Sequence, residues 1–170
     1  MGATGKSVMR AALILAAMTF IPALELRASI PYGLGVYEAT LSPTAIVTIC
    51  IVANFLLAPF VWVFLDKGIH LLLHIQWIDS LYQKVVERAR RNVHAYVERY
   101  GTMGLALFIG VPLPGSGVYS GGLGAYLLGF RFSQYMIASA VGVLIAGALV
   151  TVVSLTGMEA FSFVLKRVDH

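Results

Sequence analysis

Four apolar runs organise the chain, and they differ in kind. Residues 44–65 carry no charge and close on Asp66, Lys67 and Gly68; residues 132–155 are equally apolar along their length. A helix needs roughly 20 apolar residues to cross about 30 Å of hydrocarbon, so each of these predicts a spanning helix. The other two runs are broken. Residues 8–24 are interrupted by Pro22, then by Glu25 and Arg27, then by Pro31, Gly33 and Gly35. Residues 104–130 hold no charge, but their middle reads Pro112-Leu113-Pro114-Gly115-Ser116-Gly117. Two prolines remove amide donors and stop a helix, and the glycines permit a tight reversal. Each half is then too short to cross alone, so a re-entrant hairpin is expected, with its turn buried in protein or lining a wet cavity. Between the halves of the chain, Tyr82, Val85, Val86, Ala89, Val93, Tyr96, Val97 and Tyr100 recur at steps of three and four. They lie opposite Lys84, Glu87, Arg88, Arg91 and Arg99, which predicts an amphipathic helix.

The halves also repeat. Gly33-Leu34-Gly35-Val36-Tyr37 returns 89 residues later as Gly122-Leu123-Gly124-Ala125-Tyr126, Gly68 returns as Gly157, and Pro22 meets Pro112 at an offset of 90. A hairpin plus one span gives one net crossing per repeat, so the second copy is inverted. Paired broken segments in inverted repeats point to a transporter with its site at the repeat interface. The expected architecture is therefore an all-α integral membrane protein of two inverted repeats, each a re-entrant helical hairpin plus one transmembrane helix. It forms a single membrane domain, with repeat one at about 8–65, the amphipathic linker at about 66–100 and repeat two at about 101–157. The repeat also makes the first apolar run half of a hairpin rather than a cleaved leader.

Composition agrees. Of 170 residues 59% are apolar and only 12% charged, against roughly 45–50% and about 25% in soluble domains, and mean hydropathy is +0.85. A soluble enzyme, a disordered chain and a disulfide-stapled domain are excluded. The net charge of +4 is concentrated: eight of twenty charged residues lie between Asp79 and Arg99. In so apolar a chain that cluster meets anionic lipid, not nucleic acid. The linker side of the predicted topology holds Lys67, Lys84, Arg88, Arg90, Arg91, Arg99 and Arg131, against Lys6, Arg10, Lys166 and Arg167 on the terminal side, which places the linker in the cytoplasm.

Glu25 and Arg27 carry the strongest chemical signal. Charges inside a broken apolar segment usually pair or face a water-filled path. They are read as a substrate or proton site, facing the Pro112, Pro114, Gly115, Ser116, Gly117 turn across a small polar cavity, with Pro31 beside them. Mid-span Asn54 is expected to hydrogen-bond a hairpin turn. Pro59 is expected to kink its helix. His70 and His74 are one turn apart, but no further ligand completes a metal set. No cofactor is expected. No nucleophile, base and orienting group assemble, so neither is an enzyme. Ala138, Gly142 and Ala146 form a small-residue face on which a homodimer is expected.

The segment Glu25-Leu26-Arg27-Ala28-Ser29-Ile30-Pro31-Tyr32-Gly33, with Pro112-Leu113-Pro114-Gly115-Ser116-Gly117 and Gly121-Gly122, resembles the small multidrug export protein family of bacteria and archaea. That resemblance implies a multi-pass transporter of a prokaryotic plasma membrane. Its partners would be membrane lipids and a small-molecule or lipid substrate. Arg99-Tyr100-Gly101, Phe108-Ile109-Gly110 and Pro114-Gly115 are more distantly similar to DedA (VTT-domain) proteins, a likeness implying facing re-entrant hairpins and, for some members, lipid flipping. Where that pattern has arginines flanking the turn, this chain has Val111 and Gly117. Three functions follow as expectations: export of a small or amphipathic solute, with or without proton coupling through Glu25; DedA-like lipid flipping; and a non-transporting membrane scaffold.

Overall fold

The structure, a computed structural model, describes residues 2–22, 24–72, 101–112 and 115–168, and their side chains over 5–22, 24–68, 101–112 and 115–157. The predicted amphipathic helix on Tyr82 to Tyr100, His74, the side chain of His70 and Pro114 lie outside the described residues.

Among the described residues the chain is all-helical: α1 (Gly2–Thr19), α2 (Glu25–Val36), α3 (Pro43–Leu72), α4 (Gly101–Gly110), α5 (Val118–Leu127) and α6 (Phe132–Val168). Among the described residues two segments are long and apolar enough to cross a membrane, Pro43–Gly68 in α3 and Phe132–Gly157 in α6. Their outward residues are apolar too. Val52, Phe55, Leu56, Phe60, Val63 and Phe64 are exposed on α3, and Ile137, Val141, Leu144, Val152 and Val153 on α6. So extensive an exposed apolar surface suits lipid and not water.

Local chemistry sets the boundaries. Pro43 occupies the first position of α3, where its missing N–H costs nothing, and Ser42 Oγ accepts from Ala45 N at 3.3 Å as a cap. Helix α5 ends in a Schellman motif: Gly129 (φ 74°) donates to Tyr126 O and Phe130 N to Ala125 O. Gln134 Oε1 accepts from Arg131 N at 2.8 Å at the start of α6.

One proline behaves differently from expectation. Pro31 rides inside α2 instead of breaking it. At Pro31 the helix forgoes one bond, to the Arg27 carbonyl four residues earlier. It continues because Ile30, Gly33 and Leu34 are buried against neighbouring helices.

Helix α2 packs against α1, α3 and α6, and α5 against α3 and α6; α3 also packs against α1 and α6. Close approaches depend on glycine. A Cβ on Gly33 would lie 2.5 Å from Ile46 of α3; one on Gly122 would lie 2.9 Å from Tyr135 Oη of α6. Both partners obey the same offset, since Gly33/Gly122 and Ile46/Tyr135 are each 89 residues apart. Gly142 lets α6 reach α4, where a Cβ would stand 2.8 Å from the Ala106 carbonyl. Exchanging α2 with α5 and α3 with α6 turns the α2–α6 contact into α5–α3 and the α2–α3 contact into α5–α6.

The small-residue face of α6 is used inside the chain. Ala138, Gly142 and Ala146 are buried, with Gly142 against α4.

Candidate functional site

The α1–α2 turn at 20–24 and the α4–α5 turn at 111–117 meet, and the first residues of α2 make the contact. Glu25 is 5% exposed and has φ of +44°. A side-chain-bearing residue rarely holds that conformation, and such strain marks a position fixed by its surroundings. Its carboxylate accepts from Val118 N at 3.3 Å and Tyr119 N at 3.4 Å, the first two amides of α5. Those amides lack helical partners and carry the positive end of the helix dipole, so a carboxylate suits them. Gly117 makes the room: a Cβ there would lie 2.6 Å from the Glu25 carboxylate.

Arg27 serves the other side of the same turn. Its guanidinium donates to Ser116 O at 2.6 Å, Ser116 Oγ at 2.7 Å and Val111 O at 3.3 Å. Ser116 Oγ in turn donates to Val111 O at 2.6 Å. The C-terminal end of α4 carries the negative end of its dipole, so a planar cation with several donors fits the carbonyls of this turn. Glu25 and Arg27 thus hold the two helix ends of the opposite turn. Tyr119 Oη adds a bond to Phe20 O at the end of α1. Behind Glu25, Thr19 Oγ1 donates to Ser29 Oγ at 2.8 Å and Ser29 Oγ to Glu25 O at 3.0 Å, which ties α1 to α2.

In place of the expected polar cavity the structure has a tight crevice, which the Pro112–Gly117 turn does not line. Glu25, Arg27, Asn54, Val118, Val143 and Ala146 are among its lining, and it is too tight to seat a water molecule. Asn54 departs from expectation. It is 1% exposed, and neither its Oδ1 nor its Nδ2 has a hydrogen-bond partner. The crevice it lines also holds Glu25 and Arg27.

Two open grooves approach the crevice. One, of about 580 Å³, is lined by Arg27, Pro31, Pro112, Val150, Val153, Ser154 and Gly157. The other, of about 910 Å³, includes Phe20, Pro22, Phe60, Val61, Phe64, Leu65, Lys67, Gly68 and Tyr119. Val61, Phe64, Leu65 and Gly68 stand 89 residues before Val150, Val153, Ser154 and Gly157. Arg27 lines both the crevice and the first groove, whereas Tyr119, whose amide serves Glu25, lines the second. Residues 89 apart also come together: Arg27 binds Ser116 directly, and Asn54 and Val143 line the same crevice.

The family model described as "Putative small multi-drug export protein" matches residues 25–149. The chain belongs to this family. No curated protein and no solved structure matches it. The match opens at Glu25 and takes in most of both spanning segments and every expected site residue. The export family is a class of membrane exporter rather than of enzyme. In this member Glu25, Arg27, Asn54, Ser116 and Gly117 converge on one place, Pro31 and Pro112 line the adjoining groove, and Gly115 (φ 84°) shapes the turn. Ser29, Tyr119 and Ser154 belong to the same surroundings, but nothing in the sequence separates them from ordinary helix residues. For Ser154, the offset from Leu65 is the one clue.

Proposed function

We propose that this member of the export family is a solute exporter built as two inverted repeats. The re-entrant hairpins are α1–α2 and α4–α5, and the spans are α3 and α6. The two grooves are the two entrances of one path, opening on opposite faces of a prokaryotic plasma membrane, with the linker side cytoplasmic. The crevice between Glu25, Arg27 and Asn54 is the path's occluded centre. The observation that carries this reading is the direct contact of Arg27 with Ser116, 89 residues apart, beside a crevice that Asn54 and Val143, also 89 apart, both line. Sequence equivalents touch each other only near an axis that exchanges the repeats. The lining of the two grooves by equivalent residues supports the same axis, as two-sided access requires.

Closure of the crevice alone would equally suit a scaffold. The grooves on either side of it favour transport. Proteoliposomes test this. Efflux of entrapped ethidium or anilinonaphthalene sulfonate, above that of empty vesicles, is the expected result. Movement of a fluorescent phospholipid alone would assign the flippase reading, and movement of neither solute nor lipid would leave the scaffold.

A further inference from the structure

Glu25 occupies a position that an incoming anion could take. The α5 amides of Val118 and Tyr119 are matched to a carboxylate, and the one bound there is tethered to the chain. Arg27 sits at the boundary of crevice and groove, so a ligand entering from the groove meets a guanidinium first. Asn54 lines the same crevice, almost wholly buried, with a donor and an acceptor both unpartnered. A buried amide with neither group satisfied is costly, and the cost is recovered when a polar partner arrives.

We propose that the α5 N-terminus, Arg27 and Asn54 form a carboxylate-binding site that Glu25 itself fills in the closed state, and that the exported solute is an apolar carboxylate admitted when Glu25 takes up a proton. The inference rests on the export reading. Two carboxylates cannot share a dry crevice, because the second would be an unpaired buried charge. One proton added to a Glu25 carboxylate oxygen makes it neutral and weakens its hold on the two amides. The solute's carboxylate then takes the amides, and the crevice holds one anion before and one after. The proton on Glu25 gives Asn54 Oδ1 a donor, and the solute gives Asn54 Nδ2 an acceptor. The apolar body stays in the groove, whose roughly 580 Å³ lies within the usual range of small-molecule sites. The groups facing Glu25 are Arg27 from α2, Tyr119 from α5 and Tyr135 from α6. Helix α3 contributes the non-titrating Asn54, and the described residues of α4 hold no titratable side chain.

Equilibrium binding to the purified chain in detergent tests this without any transport step. The probes are radiolabelled 1-naphthoate and 1-naphthylmethylammonium, one ring body with opposite charges. Naphthoate should bind at least about tenfold more tightly at pH 5.5 than at pH 8, a coupling of ordinary size, and the ammonium should bind weakly at both. Glu25→Gln should bind naphthoate at pH 8 as tightly as the unaltered chain does at pH 5.5. Asn54→Leu, close in volume, should weaken naphthoate about tenfold at pH 5.5, the value of one hydrogen bond to a charged group. Tighter binding of the ammonium overturns the proposal, as does naphthoate binding that neither variant changes. Solute efflux from liposomes without these binding effects would retire the carboxylate site and leave the exporter. These binding effects without efflux would do the reverse.

Discussion

Arg27→Ala is expected to stop export while leaving a folded, membrane-inserted protein. The guanidinium makes three bonds to the α4–α5 turn, to Ser116 O, Ser116 Oγ and Val111 O. Hydrogen bonds to a charged group contribute roughly 1.5–3 kcal/mol each when buried. Arg27 is only half-buried, so about 3 kcal/mol in total is a fair figure for what fastens α2 to the turn. Losing that shifts the balance between closed and open arrangements by about a hundredfold. The helices themselves do not depend on it, because their cores are apolar. Arg27→Lys keeps the charge but presents no planar fork, so it should retain about a tenth of the rate. Efflux from liposomes, normalised to folded protein, checks both. Wild-type efflux from Arg27→Ala would remove this residue from the path.

Gly117→Ala should be the most damaging single methyl group in the chain. Its φ of +131° disfavours any side chain, and the new Cβ would stand 2.6 Å from the Glu25 carboxylate. The carboxylate must then leave Val118 and Tyr119, stranding two amides at the start of α5. A stranded buried group costs about 1–3 kcal/mol, and backbone strain adds roughly 1–2 kcal/mol. A loss of about 3–4 kcal/mol in unfolding free energy is expected on those figures. Gly35→Ala supplies the contrast, because nothing lies within 4 Å of a Cβ there and a helix interior favours alanine. Thermal unfolding in detergent reads the difference. Equal midpoints for the two variants would show that Glu25 is not seated as described.

Much of this site is legible in the amino-acid order. The two long apolar runs have to become α3 and α6, because they alone are long and apolar enough to span unbroken. Pro112 with the glycines after it has to end a helix. Glu25 and Arg27 stand out because charge inside such runs is rare. Their partners are not legible. Residues two apart suggest pairing with each other, whereas each reaches across some 90 residues to backbone groups that no side-chain pattern encodes. Pro31 reads as a break because a linear pattern cannot weigh one lost bond against the burial of Ile30 and Leu34. The small-residue face on α6 is visible, but Gly142 at its centre meets α4 of the same chain, since a stripe of small side chains does not say whose helix comes near. Asn54 signals a polar contact and has none, because its crevice is closed.

The exporter reading stands on the two grooves being equivalent entrances on opposite faces, and labelling from each side decides it. Phe64 and Val153 are equivalents 89 residues apart, 73% and 68% exposed, one in each groove. Each is replaced singly by cysteine in a Cys50→Ala background and treated with a membrane-impermeant maleimide in right-side-out and inside-out vesicles. Phe64→Cys is expected to label from the linker side and Val153→Cys from the terminal side. Labelling of both from one side, or of neither from either, would contradict two-sided access.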